Sequence, residues 1–326
     1  MLDLTLRHES WPIAGKFTIS RGSKTSAEVV VAELNDGTNR GLGECVPYAR
    51  YGESIESVIA ELEALKGAIA DGAGRDDIQT LLKPGAARNA LDCAFWDYEA
   101  KKAGKRAWEL AGLSAPKSLV TAYTISLDTP EKMGQQAKAN AHRPLMKLKL
   151  TGEGDLERVA AVRDNAPNTR LIVDANEGWS VDMVEPFSAK LKELGVEMIE
   201  QPLPADADAP LSDVAHPIPL CADESAHACA DFHKLVGKYD MINIKLDKTG
   251  GLTEALKLRQ MALDAGMQVM VGCMVGSSLA MAPAMLVAEG ATVVDLDGPL
   301  LLAKDREPGI AFEGSTMQPV DAALWG

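Results

Sequence analysis

Six charged side chains carry the chemistry this sequence could perform: Lys147, Lys149 and Lys245, with Asp174, Glu200 and Asp223. The first two lysines lie in Leu145-Met146-Lys147-Leu148-Lys149-Leu150. Along a strand, side chains alternate, so both lysines share one face and Met146, Leu148 and Leu150 share the other. Lysine is almost never fully buried without a partner. Such a strand either lies at a sheet edge in water or aims its lysines at something that offsets their desolvation. Asp174, Glu200 and Asp223 each close a short apolar run. Singly, each is as well read as a cap of the following helix; three in consecutive units favour a shared cation, because converging carboxylates repel without one. An all-oxygen donor set with no His or Cys nearby points to Mg²⁺ rather than zinc or copper.

Positive charge beside Lys149 and Lys245 should lower their pKa and leave part of each as free amine, which is what a general base needs. One such base could remove a proton α to a carboxylate and give an enediolate. A second on the opposite face could return a proton with inversion.

Positioning these groups requires strands that end at one level. After Pro116, short apolar runs alternate with amphipathic stretches: 121–125, 145–150, 170–174, 196–200, 218–222, 241–245, 268–272 and 292–296. Each interval holds one plausible helix, such as 182–194 and 252–265, closed by Gly195 and Gly266. The pattern predicts an α/β protein built on a (β/α)8-type, modified TIM barrel, where chemistry gathers at the C-terminal strand ends. Those ends read Thr124, Lys147 and Lys149, Asp174 with Asn176, Glu200 with Gln201, Asp223 with Glu224, Lys245 with Asp247, Gly272-Cys273, and Asp295 with Asp297. Lys149 and Lys245 fall on the second and sixth strands and therefore oppose each other across the ring. A doubly wound open sheet is the rival, but no GxGxxG fingerprint is present.

Residues 1–115 read as an α+β capping domain, 116–310 as the barrel domain, and 311–326 as a segment returning to the cap. Strands are expected at 16–20, 27–34 and 40–46, the last two joined by a turn at Asn35-Asp36-Gly37-Thr38. A helix is expected over 87–104, with Gly104 as its C-cap. Arg21 to Ser26 reads as a polar, basic loop and a candidate lid. The Gly250-Gly251 pair reads as a tight βα turn rather than a phosphate cradle.

Composition bounds the partners. The 326 residues carry a net charge of −14 and no Lys/Arg run, which disfavours nucleic acid. No signal-peptide pattern or long apolar span is evident, so a cytoplasmic protein without membrane contact is expected. The five cysteines are scattered and form no CxxC pair, consistent with reduced thiols.

The ordered set Trp11-Pro12, Gly41-Leu42-Gly43-Glu44-Cys45, Ala87-Arg88-Asn89-Ala90-Leu91-Asp92, Lys147-Leu148-Lys149, Asp174-Ala175-Asn176-Glu177, Glu200-Gln201-Pro202, Asp223-Glu224-Ser225, Asn243-Ile244-Lys245 through Gly251, and Asp295-Leu296-Asp297 resembles the enolase superfamily. The resemblance spans essentially the whole chain. It lies in the branch related to muconate-lactonizing enzymes, nearest the dipeptide epimerases that interconvert L-Ala-L-Glu and L-Ala-D-Glu. It implies Lys149 and Lys245 as acid/base catalysts, Lys147 beside them, and Asp174, Glu200 and Asp223 as ligands of one Mg²⁺ per subunit. Asn176, Glu224 and Asp247 would support these groups, and Thr124 would line the substrate site. It also implies Asp295 and Asp297 as partners of a dipeptide ammonium. Lys24, with Arg21 nearby, stands where Ala-Glu epimerases place an arginine for the glutamate carboxylate. Lysine supplies the charge without the bidentate fork, which leaves strict glutamate selectivity open. Other reactions of the superfamily remain alternatives: N-acylamino-acid racemisation, cycloisomerisation, and an o-succinylbenzoate synthase-like elimination. A homo-oligomer is compatible with the sequence.

Overall fold

Side-chain alternation in the first residues folds as a three-stranded antiparallel sheet, β1 (Asp3–Ile19), β2 (Gly22–Asn35) and β3 (Arg40–Cys45), in a computed structural model describing residues 1–326. Both faces of β2 are buried, and its period of two divides them between two cores. Val29 and Val31 join the barrel core, whereas Val30, Ala32 and Leu34 join a separate cap core. The long cap helix Ala86–Ala103 packs directly on β3 and ends at the left-handed Gly104. A Cβ at Gly41 would sit 2.2 Å from Ala94 O, and one at Gly43 would sit 2.0 Å from Ala90 O, so this approach demands both glycines.

Two expectations for this region are corrected. The first strand is not confined to residues 16–20; it starts at Asp3, and the ladder with β2 shifts register between Pro12 and Phe17. Proline lacks an N–H and disguises an edge strand that continues on both sides of it. Residues 21–26 are not a loop either. The hairpin turns tightly at Ser20-Arg21, with Ile19 paired to Gly22, and the small hydroxylated residues beyond extend β2.

The chain then builds a short outer strand, β4 (Leu119–Val120), followed by β5 (Tyr123–Ile125), β6 (Leu145–Lys149), β7 (Arg170–Asp174), β8 (Val196–Glu200), β9 (Leu220–Ala222), β10 (Met241–Ile244), β11 (Gln268–Gly272) and β12 (Val293–Asp295). Strands β5 to β12 form one eight-stranded parallel sheet in sequence order. Ala122 N–H donates to Val294 O and Leu296 N–H to Thr121 Oγ1, both at 2.8 Å, which brings the ends of the sheet together as a nearly closed barrel. The architecture is thus the expected barrel with a separate N-terminal α+β domain.

Inside the barrel one buried residue from each unit forms a plug: Ala122, Leu145, Ile172, Met198, Cys221, Met241, Met270 and Val293. Two residues further along each strand, the same inward face carries Thr124, Lys147, Asp174, Glu200, Asp223, Asn243, Gly272 and Asp295. The apolar layer is a floor and the polar layer stands on it. Met146, Leu148 and Leu150 face outward into the core beneath the helices.

Not every interval holds an α-helix. Between β8 and β9 there is only the 3-10 stretch Ala209–Asp213, and between β9 and β10 only Cys229–Lys234. In the first of these, Pro202, Pro204, Pro210, Pro217 and Pro219 remove the donors a longer helix would need. After β12, β13 (Phe312–Glu313) and β14 (Thr316–Met317) pair onto β4, and the last residues reach the long cap helix, Trp325 Nε1 donating to Cys93 O at 3.1 Å. All five cysteines are free thiols, and no helix is long and apolar enough to cross a membrane.

Candidate active site

Parallel register sets the acidic residues side by side: Lys149 lies opposite Asp174, and Asp174 opposite Glu200. Asp223 follows the end of β9. Asp174, Glu200 and Asp223 are fully buried, and one oxygen from each lies within 4.8 Å of the others. Glu200 Oε2 is buried and is approached by the Lys147 ammonium at 2.6 Å. Three converging carboxylates, all of them hard oxygen donors, fit a hard divalent cation.

The ammonium groups interleave with these acids. Lys147 Nζ lies 2.6 Å from Glu200, 2.9 Å from Asp295 and 3.3 Å from Asp174, bridging the two sides of the barrel mouth. Burial alone would push its pKa down, but these carboxylates outweigh burial and hold it charged, well above an ordinary lysine. Lys149 Nζ reaches Asp174 at 2.7 Å and Lys245 Nζ reaches Asp223 at 2.6 Å. Three strands, β7 to β9, separate β6 from β10 along one side and three along the other, so the two lysines stand on opposite walls.

The expected lowering of the Lys245 pKa is reversed. Burial pulls it down, but Asp223 counters this and the net shift is well upward. Lys245 moves towards free amine to the extent that the charge of Asp223 is engaged elsewhere. Lys248 already engages part of it, with its fully buried Nζ 2.6 Å from Asp223 Oδ1 and 3.1 Å from Asn243 O. Burial and the neighbouring Asp174 charge raise Glu200 to about 7 despite Lys147; burial and Asp223 do the same to Glu224.

Several groups that orient the site carry weak sequence signals. Asn243 Nδ2 donates to Glu200 Oε1 at 2.7 Å. Gln201 Oε1 accepts the backbone N–H groups of Asp223 at 2.9 Å and Ser225 at 3.1 Å. Asn176, Glu177 and Gln201 hold positive φ values of 46°, 64° and 36°, strain concentrated just past the β7 and β8 ends. Lys248 was visible only as a second lysine three residues beyond Lys245. Of the supporting residues expected from sequence, Asn176 donates its N–H to Asp174 Oδ1 at 2.9 Å. Glu224 accepts from Arg21 at 2.7 Å, and Asp247 accepts from Asn89 at 2.8 Å.

A cavity of about 370 Å³ opens above the carboxylates, walled by Lys149 and Lys245 below and by Phe17, Ile19 and Lys24 of the β1–β2 hairpin above. Arg21 and Lys24 differ sharply within it. Arg21 donates to Asn176 O, Glu177, Glu224 and the Tyr48 hydroxyl, and so ties the hairpin tip to the barrel. Lys24 makes no ion pair and stands 5.6 Å from the centre of the Tyr48 ring.

At the last strand, Asp297 Oδ2 accepts the Thr124 N–H at 2.7 Å, and Asp295 Oδ2 accepts from Lys147, while Asp295 Oδ1 is buried without a partner. Burial and the adjacent Asp295 raise Asp297 to about 7.

Fold and site together define a family. Residues 1–112 match the mandelate racemase / muconate lactonizing enzyme N-terminal domain, and residues 132–303 match the enolase C-terminal domain-like family. The chain belongs to this family, within the enolase superfamily. It is 44% identical to the L-Ala-D/L-Glu epimerase of Escherichia coli (strain K12), over 93% of this chain and 95% of the relative. It is also 44% identical to an N-acetyl-D-glutamate racemase of Pseudoalteromonas, over 91% and 95%. Among solved structures, an enolase family member from Agrobacterium tumefaciens with homology to dipeptide epimerases, with sodium and L-Ala-L-Glu bound, is 52% identical with a TM-score of 0.98, covering 100% of both chains. A dipeptide epimerase from Enterococcus faecalis complexed with Mg and L-Leu-L-Tyr is 27% identical with a TM-score of 0.90, covering 98% of this chain and 97% of that one. The chain is accordingly an isomerase of the racemase and epimerase branch.

Proposed function

We propose that this protein epimerises dipeptides of the L-Ala-L-Glu type at the C-terminal residue, by 1,1-proton transfer between Lys149 and Lys245 through an enediolate. The observation that carries the reading is the placement of two lysines on opposite walls of one cavity, above a buried carboxylate triad. Asp174, Glu200 and Asp223 would hold Mg²⁺, which when bound supplies positive charge for the substrate carboxylate and for the charge that develops on deprotonation. One lysine takes the α-proton and the other delivers a proton to the opposite face. Lys147, held charged between the acids, stays an ammonium throughout and adds to the electrostatic stabilisation.

The substrate ends are read from the remaining charges. Asp295 and Asp297 form a buried anionic pair with one oxygen unpartnered, which suits an ammonium. Lys24, unpaired at the far wall, suits a side-chain carboxylate, whereas Arg21 is engaged by the barrel. Replacing Lys24 with alanine should raise KM for L-Ala-L-Glu about 10- to 100-fold, the range of one charged hydrogen bond, and leave an L-Ala dipeptide with an apolar second residue nearly unaffected. Steady-state kinetics on the two substrates checks this. Asp297, raised to about 7, is charged above that pH and neutral below it. The dipeptide KM should therefore rise as pH falls through about 7, and Asp297→Asn should flatten that rise.

The second reading, N-acetyl-glutamate racemisation, is favoured by the relative of that activity. An acetylated nitrogen carries no charge and would bring the Asp pair no cation beyond Lys147. Comparing kcat/KM for L-Ala-L-Glu and N-acetyl-D-glutamate tests the choice: a preference of about 100-fold or more for the dipeptide is expected, and the reverse order would replace the proposal.

A further inference from the structure

The two lysines are anchored by different parts of the molecule. Lys149 lies within the β6 ladder, paired opposite Asp174 on β7, and the next residue, Leu150, donates its N–H to Asp174 O at 2.9 Å. The turn beyond is closed from within the barrel, with Thr151 N–H and Gly152 N–H donating to Asp155. Lys245 lies one residue past the last ladder pair of β10, Ile244 with Val271. Its backbone is set instead by the single helical turn Leu246–Thr249, whose Lys248 and Thr249 N–H groups donate to Lys245 O at 2.9 and 3.0 Å.

That turn is gripped by the long cap helix Ala86–Ala103. Asn89 Nδ2 donates to Asp247 Oδ1 at 2.8 Å, and the Val46 N–H donates to the same oxygen at 3.0 Å. Arg88 donates to Thr249 O at 2.7 Å and Gly250 O at 3.1 Å. Asp92 accepts from the Thr253 hydroxyl at 2.6 Å and the Thr253 N–H at 2.9 Å. Gly250 and Gly251 permit this contact. A Cβ at either would come within 2.5 Å of Arg88 or Asp92, and both glycines have positive φ. Arg88, Asn89, Asp92 and Asp247 are all buried. A carboxylate and a guanidinium removed from water need a matched geometry, so this seam tolerates little displacement.

From this asymmetry we infer that Asn89 and Arg88 are positioning residues for Lys245 and not for Lys149, so that the long cap helix sets one of the two proton transfers. The inference rests on the two-lysine reading above. A displacement of about 1 Å at a reacting group can cost on the order of 100-fold in rate.

The experiment follows deuterium from D₂O into the α-carbon of L-Ala-L-Glu and L-Ala-D-Glu separately, at saturating Mg²⁺. Lys149→Ala and Lys245→Ala first define which isomer depends on which lysine. Asn89→Ala is then expected to reduce exchange of the Lys245-dependent isomer about 10-fold or more relative to the other, with KM little changed. Should Asn89→Ala not fold, Arg88→Lys carries the same test, because it keeps the charge but cannot hold both carbonyls with a planar fork. Equal losses for the two isomers, or an unchanged ratio, would overturn the inference. If the lysine variants themselves do not separate the isomers, the two-lysine reading fails first and this inference with it.

Discussion

Lys245→Ala is expected to lower epimerisation about 10³-fold or more while one isomer continues to exchange its α-proton with solvent, and Lys149→Ala is expected to do the same for the other isomer. General acid–base groups typically contribute about 10² to 10⁴ in rate. Here a lysine removed from one wall leaves the opposite lysine still able to reach its own face of the substrate. Deprotonation and return on that face incorporate deuterium without inversion, and inversion is blocked. The alternative origins of a loss are separable. A variant that merely misfolds loses exchange from both isomers, and a variant that weakens binding shows the loss in KM. Deuterium incorporation into recovered L-Ala-L-Glu and L-Ala-D-Glu, read by mass spectrometry, checks the outcome.

Glu200→Gln is expected to remove the Mg²⁺ dependence of the protein altogether. Glu200 is fully buried, held by Asn243 through one oxygen and paired with the Lys147 ammonium at 2.6 Å through the other. The amide keeps the shape but takes away one of three anions and turns a donor set of carboxylates into a weaker one. Activity should fall about 10³-fold or more because the charge developing on the enediolate loses its counter-charge. A second readout does not depend on turnover. A ligand that binds only the folded state stabilises by RT ln(1 + [L]/Kd), about 2.7 kcal/mol at a hundred times Kd. Wild-type protein should melt at a higher temperature as Mg²⁺ is titrated in and return on chelation. Glu200→Gln should show no such shift; a melting curve that still rises with Mg²⁺ would place the ion elsewhere.

The parts of this site that the sequence disclosed are those governed by local periodicity. Lys147, Lys149, Asp174, Glu200 and Asp295 could be placed because a period of two carries each inward face from an apolar floor residue to the polar residue beyond it. What escaped depends on distant partners. Arg88 and Asn89 meet residues 249 and 247 only because a helix from the first third of the chain docks on a turn of the barrel. Within a local window they read as ordinary helix positions. The direction of the Lys245 shift is not legible locally because it is a balance of burial, Asp223 and more distant charges, and proximity to another lysine is only one contribution. The engagement of Arg21 is hidden in sequence, since nothing local reveals that Glu177 and Glu224 meet it from two barrel loops. Pro12 concealed the full length of β1 for the opposite reason, a strong local signal overruled by pairing with β2 on both sides.

In the proposed mechanism a proton leaves one face of the substrate and another arrives on the opposite face. Incubating wild-type protein with L-Ala-L-Glu and Mg²⁺ in D₂O tests it most directly. The expected product is L-Ala-D-Glu carrying deuterium at the α-carbon of its glutamate residue. Inverted product that retains the original hydrogen, or no α-exchange with any acidic dipeptide, would contradict it.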